Sequence, residues 1–330
     1  MTAYRPILAS RQDVGVAAVQ LADGWLWFDR VEVLEYEGRS IVPVSDIPAD
    51  VLDRLTTPRA AMVGLDWSRP QIMGILNVTP DSFSDGGVFN APEQAVVRAQ
   101  AMAADGADIL DIGGESTRPG AGFVPVEEEI QRTAPIISAL VDGDVPPLSI
   151  DTRKAAVAVA AVQAGADMLN DVSALSFDDD MASVAAKSGA PICLMHAQGD
   201  PATMQKDPSY RDVTLDVYHY LEDRIAVAEA AGVQRSQIIV DPGIGFGKTL
   251  DHNLQLLRDL AVFHGLGCPV LLGASRKRFI GTLSGAKVAA DRMAGSVAVA
   301  LAGVAQGMQI VRVHDVAQTH QAMTLWGAVR

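Results

Sequence analysis

The stretch Gln71-Ile72-Met73-Gly74-Ile75-Leu76-Asn77 is a short apolar segment that ends in a polar side chain. It is followed by a loop and then by an Ala-rich stretch at helical spacing, residues 92–104. A short apolar run followed by such a stretch is typical of a buried strand that leads into a helix. The stretch therefore predicts the first strand–helix unit of a parallel α/β fold.

The same unit recurs along the rest of the chain. The predicted strands are residues 71–76, 109–112, 148–150, 168–169, 191–195, 238–240, 270–272 and 309–313. The predicted helices are residues 92–104, 126–141, 153–164, 179–187, 214–231, 253–263, 291–305 and 316–328. Eight alternating units predict a (β/α)8 TIM barrel over residues 71–330, because such barrels usually take about 250 residues.

Most of the predicted strands end in a side chain that can bind a ligand or take part in chemistry. These residues are Asn77, Asp111, Asp151, Asn170, His196, Asp241, Ser275 and Arg312. The carboxyl ends of all the strands of a barrel open on one mouth. The pattern therefore places a candidate active site at that mouth.

Residues 1–70 have a different pattern. Strand-like alternation at residues 25–33 and 40–44 predicts two strands, residues 49–55 a short helix, and residues 56–70 a linker. We predict a small β-rich N-terminal appendage and linker over residues 1–70, and a catalytic barrel over residues 71–330. The aromatic residues Trp25, Trp27 and Phe28 are interpreted as packing residues, because they recur at strand spacing beside no polar cluster.

Composition limits the kinds of partner. The 330 residues are 49% hydrophobic and carry a net charge of −14, which repels nucleic acid and anionic membrane surfaces. The longest apolar stretch, residues 294–304, is too short to span a bilayer. Cys193 and Cys268 suit neither a disulfide framework nor a zinc site. We therefore expect small-molecule substrates, no nucleic acid or membrane partner, and a cytoplasmic location.

The glycine-rich segment 243–249 looks like a nucleotide phosphate loop but lacks the pattern of one. Its first required Gly is replaced by Pro242, and Lys248 stands where a dinucleotide fingerprint ends in Gly. What remains is Asp241 at a strand end and a loop that brings backbone close to a flat ligand, with Phe246 able to cover an aromatic face. A surface turn is the alternative interpretation.

Four residues at or near strand ends offer acceptors and donors suited to the edge of a nitrogen-rich heterocycle. They are Asp151, Asn170, Asp241 and Lys277. For Asp151 alone, capping of the following helix remains an open alternative. The clustering of such groups on successive strand ends favours a binding site.

A second set of residues is basic, although the chain as a whole is acidic. It consists of Arg118, Lys248, Arg276, Lys277, Arg278, Arg312 and His314. Loops after the seventh and eighth strands are the usual phosphate site of such barrels, and Arg312 and His314 project to the same side of the eighth strand. With Asn77 and Thr117 as neutral ligands nearby, the set indicates a phosphate pocket. For any single Arg, a solvated surface position is the alternative.

Two segments closely resemble the signatures of the dihydropteroate synthase family. They are Gly74-Ile75-Leu76-Asn77-Val78-Thr79-Pro80-Asp81-Ser82-Phe83-Ser84-Asp85-Gly86-Gly87 and Asp111-Ile112-Gly113-Gly114-Glu115-Ser116-Thr117-Arg118-Pro119-Gly120. The resemblance continues through residues 149–152, 170–171, 194–196, 241–248, 275–277 and 312–314. It implies a transferase of folate biosynthesis, in which para-aminobenzoate displaces pyrophosphate from 6-hydroxymethyl-7,8-dihydropterin pyrophosphate to give 7,8-dihydropteroate.

The resemblance also implies roles for the matched residues. The pterin would be bound by Asp151, Asn170, Asp241 and Lys277, with Met195 lining the pocket. Pyrophosphate would be held by Asn77, Thr117, Arg312 and His314, with Asn77 also contacting Mg²⁺. The aminobenzoate side would be formed by Arg118, Pro119, Phe246, Lys248 and Ser275. Catalysis would depend on Asp151, Asn77, Arg312 and His314, with ionised Asp151 stabilising positive charge on the ring. Three positions depart from the common family residue: Arg153, Ala197 and Ile244.

Two other functions share part of this pattern. A pterin-binding methyltransferase domain would use the same barrel and carboxylates, but the chain has no Asp-x-His-x-x-Gly corrinoid motif. A non-catalytic pterin-binding protein is the second alternative. The apolar, Ala-rich late helices favour a homodimer.

Overall fold

The N-terminal part of the chain forms a small antiparallel unit. The computed structural model describes residues 2–78, 91–116, 121–199 and 203–329. The elements of the N-terminal unit are β1 (Thr2–Pro6), β2 (Val19–Gln20), β3 (Trp27–Phe28), β4 (Arg30–Glu35), β5 (Gly38–Pro43) and α1 (Ala49–Thr56). Strand β4 pairs with both β1 and β5, and β2 pairs with β3. The single strand predicted over residues 25–33 is therefore two strands, separated by a bend at Asp29.

The rest of the described chain forms a parallel barrel with surrounding helices. Its strands are β6 (Gln71–Asn77), β7 (Ile109–Gly113), β8 (Leu148–Asp151), β9 (Met168–Asp171), β10 (Ile192–Met195), β11 (Ile238–Asp241), β12 (Leu271–Leu272) and β13 (Ile310–Val313). Neighbouring strands pair in sequence order from β6 to β11, and β13 pairs with both β6 and β12. A parallel bridge between Val240 and Val270 joins β11 to the residues before β12. This closes the ring and confirms the predicted TIM barrel.

The helices follow the predicted order, with differences late in the chain. They are α2 (Ala91–Ala104), α3 (Val126–Val141), α4 (Ala155–Ala164), α5 (Met181–Ser188), α6 (Val213–Ala230), α7 (Leu250–Arg258), α8 (Arg278–Ser284), α9 (Met293–Val304) and α10 (Val316–Val329). The helix predicted over residues 253–263 is α7 followed by a 3-10 helix, Leu260–Leu266. The two are divided at Asp259, whose carboxylate accepts hydrogen bonds from Thr214 and from Arg39 of the appendage. The short helix α8 was not predicted.

Inward-facing side chains fill the barrel in layers. The apolar layer, which we call the barrel floor, consists of Met73, Ile109, Met168, Cys193, Ile239, Leu271 and Ile310. Because strand side chains alternate between the two faces, residues two positions further along point inward again. On five of these seven strands they are Asp111, Asn170, Met195, Asp241 and Arg312, and Asp151 ends β8 in register with Asn170. We call the five polar residues of this set the polar layer.

The segment predicted as a linker packs against the barrel floor. Met62, Leu65 and Trp67 belong to the same buried apolar cluster as the floor residues. The Trp67 indole also donates to the carbonyl oxygen of Ala60 at 2.7 Å. Residues 57–70 thus contribute to the core of the barrel, and the domain division at residue 71 remains a prediction.

Polar contacts attach the appendage to the outside of the barrel. The Arg39 guanidinium makes two hydrogen bonds to the Asp259 carboxylate, at 3.0 and 2.8 Å. Tyr36 Oη donates to Asp216 Oδ1 at 2.7 Å, and the Trp25 indole donates to the carbonyl oxygen of Val304 at 3.1 Å. None of the helices in the described ranges is long and apolar enough to cross a membrane.

Candidate active site

Arg312 joins three of the barrel strands in the polar layer. Its Nε donates to Asp111 Oδ2 at 2.6 Å and its Nη2 donates to Asp151 Oδ2 at 2.8 Å. Asn170 Nδ2 donates to the same oxygen of Asp111 at 3.1 Å. The structure therefore brings together four residues that the sequence placed at separate strand ends.

The carboxylates of this group are buried and keep unused acceptors. One oxygen each of Asp111 and Asp151 is buried without a hydrogen-bond partner among the described residues. Burial raises the pKa of Asp151 to about 7, because desolvation outweighs the opposing effect of the Arg312 cation, and the Asp111 charge raises it further. The site thus offers unsatisfied acceptors and one carboxyl that changes its charge near neutral pH.

Asp241 begins the glycine-rich loop after β11. Its Oδ1 accepts from the Gly243 amide at 2.7 Å, and burial raises the pKa of its carboxyl. Gly243 has a φ of +67°, and a Cβ there would lie 1.8 Å from the carbonyl oxygen of His196. A residue with a side chain would therefore push the loop away from β10. The glycine lets the loop lie directly against the polar layer.

Side chains bind every carbonyl oxygen of this loop from Gly243 to Gly247. Lys248 donates to Gly243 and Phe246, Lys277 to Ile244, Gln205 to Gly245, and Tyr210 to Gly247. Gln205 and Tyr210 come from the β10–α6 connection and had no predicted role. Such a loop is preorganised, because each of its carbonyl oxygens already has a side-chain partner.

Lys248 supports the loop from within the protein. Its side chain is 2% exposed, and its ammonium lies 2.8 Å from His196 Nδ1, 2.9 Å from the Gly243 oxygen and 3.0 Å from the Phe246 oxygen. An ammonium has three donors, and three protein acceptors use them here. Burial lowers the pKa values of both Lys248 and His196. Lys248 therefore braces the loop, and the aminobenzoate contact that the family resemblance implied for it stays a prediction.

The remaining predicted residues of the described ranges lie around the mouth. The Lys277 ammonium is 4.5 Å from the centroid of the Phe246 ring. Ser275 Oγ is 3.0 Å from His314 Nδ1 and accepts from the His314 amide at 3.2 Å. Asn77 ends β6 and is half-buried. Thr117, Arg118 and Pro119 lie outside the described residues.

A buried ion cluster lies near the start of the segment that contains Thr117. Glu115 pairs with Arg153 at 3.3 Å and with Lys154 at 3.2 Å, and Lys154 also pairs with Glu129. Arg153, one of the departures from the family pattern, therefore has a protein partner. Sequence reasoning gave no role to Lys154, Glu115 or Glu129, because the partners lie on three separate segments.

The fold and the site define a class of protein. A closed (β/α)8 barrel with ionisable residues gathered at the carboxyl ends of its strands is the architecture of a TIM-barrel enzyme. The chain belongs to the family of pterin binding enzymes, whose model matches residues 73–314.

Relatives of this chain share one activity. A dihydropteroate synthase of Escherichia coli is 48% identical over 259 residues, which cover 78% of this chain and 91% of that protein. The structure of Xanthomonas albilineans dihydropteroate synthase with 4-aminobenzoic acid is 48% identical, has a TM-score of 0.78, and matches 83% of this chain and 98% of that one. The same enzyme in complex with 7,8-dihydropteroate is 46% identical, with a TM-score of 0.75 and coverage of 82% and 98%.

Proposed function

We propose that this chain is a transferase that condenses 6-hydroxymethyl-7,8-dihydropterin pyrophosphate with para-aminobenzoate. The products are 7,8-dihydropteroate and pyrophosphate, the dihydropteroate synthase reaction of folate biosynthesis. The observation that carries the proposal is the polar layer, in which Asp111, Asp151, Asn170, Asp241 and Arg312 surround one mouth. The relatives that bind 4-aminobenzoic acid and 7,8-dihydropteroate support the same reaction.

The polar layer supports a pterin-binding role. The unpartnered oxygen of Asp151 and the carboxylate of Asp241 would accept hydrogen bonds from the amino and ring N–H groups of a pterin. Asn170 and Lys277 would complete its polar edge, and Met195, 3% exposed, would contact its face. Asp151, Asn170, Met195 and Asp241 lie on four different strands, so the rigid barrel would set their spacing.

The pyrophosphate is assigned to the side of the mouth formed by β13 and β6. Arg312 supplies a cation, and His314 and Asn77 are the other described residues assigned there. When pyrophosphate leaves, positive charge develops on the pterin methylene and ring, and ionised Asp151 would stabilise that charge. The arylamine is neutral at pH 7, so positioning rather than a strong base would accelerate its attack.

Mg²⁺ is proposed as the cofactor. Among the described residues, no group of three His, Cys, Asp or Glu side chains could hold a metal ion. Mg²⁺ often binds through one or two protein oxygens, several waters and the phosphates of a substrate. The carboxamide of Asn77 fits that donor set, with the pyrophosphate supplying the other oxygens. Bound there, Mg²⁺ would neutralise charge on the leaving group.

A homodimer and a cytoplasmic location are also proposed. Helix α9 has no charged residue, and its exposed side includes Ala294, Ala298 and Ala302 at a spacing of four. Leu325 of α10 is 61% exposed. A second copy of the chain would cover this small-residue surface. The thiols of Cys193 and Cys268 are unpaired and buried, which suits a reducing compartment.

The test is pyrophosphate release by the purified chain with Mg²⁺ and both substrates. We expect release only when the pterin pyrophosphate and para-aminobenzoate are present together, with 7,8-dihydropteroate formed in equal amount. An Arg312→Met variant serves as the control for contaminating activity. Binding of the pterin pyrophosphate without release would favour a non-catalytic pterin-binding protein instead.

A further inference from the structure

Arg276 has a backbone conformation that is rare for a residue with a side chain. Its φ is +57°, in the left-handed region. It separates Ser275, which contacts His314, from Lys277, which contacts Ile244 and the Phe246 ring. A left-handed residue turns the chain sharply, so it determines where both neighbours project. Such conformations persist only when the surrounding structure enforces them, and they cluster at functional sites.

Three neighbours hold Arg276 in this conformation. Its amide donates to Ser296 Oγ at 2.8 Å, and its carbonyl oxygen accepts from Arg292 Nη1 at 3.0 Å. Its guanidinium forms a bidentate salt bridge with Asp315, in which Nε donates to Oδ2 at 3.0 Å and Nη2 donates to Oδ1. The backbone and the side chain of Arg276 are thus both restrained. A bidentate salt bridge also fixes the orientation of the guanidinium plane.

The restraints link the two loops that carry the pyrophosphate and aminobenzoate residues. Asp315 directly follows His314 in the short connection between β13 and α10, whereas Arg276 lies between Ser275 and Lys277 after β12. Ser296 belongs to α9, and its hydroxyl also donates to the Arg292 oxygen at 2.7 Å. The Arg276–Asp315 pair therefore ties the Ser275–Lys277 turn to the loop of His314.

We propose that Asp315 is a positioning residue for the reaction, which acts through Arg276 to hold the turn that sets Ser275 and Lys277. The inference rests on the proposed function, because that function gives Ser275 and Lys277 their substrates. Arg276 itself has a structural task here, although the sequence grouped it with residues suited to anion binding. Asp315 lies outside every residue set assigned from the sequence.

The test compares two replacements of Arg276. Both Arg276→Ala and Arg276→Gly remove the guanidinium, but only glycine adopts a φ near +57° at little cost. We expect Arg276→Ala to lower kcat/KM for para-aminobenzoate about ten- to a hundredfold, as is usual when reacting groups are misplaced. Arg276→Gly should recover most of that loss. Equal losses in the two variants would mean that the side chain acts directly on substrate, and would overturn the proposal.

Asp315 is tested in both backgrounds. Asp315→Ala should lower kcat/KM in the wild-type chain by a similar factor, but should add less than about a twofold loss in the Arg276→Gly chain. If Asp315→Ala lowered kcat/KM as much in the Arg276→Gly chain as in the wild-type chain, Asp315 would not act through Arg276. If Asp315→Ala fails to fold, the comparison of Arg276→Ala with Arg276→Gly still tests the proposal.

Amide hydrogen exchange gives a readout that needs no activity. In the substrate-free protein, peptides covering residues 275–278 should exchange faster in Asp315→Ala than in the wild-type chain, whereas peptides from β7 and β8 should not change. Unchanged exchange at the turn would refute the proposal. If the wild-type chain released no pyrophosphate, the proposed function would fail separately, and the exchange result would still report on the turn.

Discussion

Arg312 Nε lies 2.6 Å from Asp111 Oδ2, and this hydrogen bond joins two residues that are 201 positions apart in the chain. The same guanidinium is also bonded to Asp151. One cation is thus shared by two buried carboxylates, and Asp111 keeps Arg312 in place whatever the charge of Asp151. Asp111 was noted in the sequence only as a strand-end residue, and the structure makes it the partner of Arg312 and Asn170.

Asp111→Asn should shift the pH dependence of the enzyme. The Asp111 charge raises the pKa of Asp151, so its removal should lower that pKa and move the acidic limb of the kcat/KM profile to lower pH. The absolute rate should also fall, because Arg312 loses a charged partner. The check is the pH profile of the variant beside that of the wild-type chain. A limb that stays in place would mean that Asp111 does not influence Asp151.

The wild-type profile should itself report on Asp151. Its pKa is raised to about 7, so the carboxyl is neutral below that pH and ionised above it. If the ionised form stabilises the developing cation, kcat/KM for the pterin pyrophosphate should fall about tenfold per pH unit below about pH 7. Asp151→Asn should lower kcat about a hundred- to a thousandfold, as loss of an electrostatic contact to a transition state typically does. In the Asp151→Asn variant, the fall of kcat/KM below about pH 7 should also disappear.

Two lysines that donate to the glycine-rich loop should separate stability from activity. Lys248→Met leaves His196 Nδ1 and two carbonyl oxygens without their donor, which should cost about 3–5 kcal/mol of unfolding free energy. Lys277→Met alters a half-buried side chain at the mouth and should reduce turnover with less effect on stability. Urea unfolding and steady-state rates of both variants are the measurements. The reverse order, with Lys277→Met the less stable, would contradict the bracing role of Lys248.

Trp67 should contribute to the stability of the barrel. It is 5% exposed and packs against the barrel floor. Trp67→Ala should therefore cost about 3–5 kcal/mol, the usual range for removal of a large buried aromatic side chain. Trp27→Ala in the appendage is the matched control and should cost less, because Trp27 is only half-buried. Equal losses in urea unfolding would argue that residues 57–70 are not part of the barrel core.

The sequence predicted the barrel because its signals are local. Short apolar runs and Ala-rich helices recur in a regular order, and each depends on residues close together in the chain. Because the strands are parallel, Asp151, Asn170, Asp241 and Arg312, which lie at or near the carboxyl ends of their strands, all come to one end of the barrel. That these residues share a mouth follows from the fold class, so it required no knowledge of their contacts.

Tertiary structure decided which of these groups pair with one another. Lys248 and His196 are 52 positions apart, and Arg276 and Asp315 are 39 apart, so no local pattern reveals that they meet. The left-handed φ of Arg276 is likewise imposed by neighbours in and just before α9 and in the connection after β13, not by its own preference. Met62, Leu65 and Trp67 looked like linker residues because their partners lie on seven different strands. Sequence alone thus determined the architecture and the position of the mouth. Packing between distant segments decided which partner each side chain there has, how its conformation is held, and how far burial shifts its pKa.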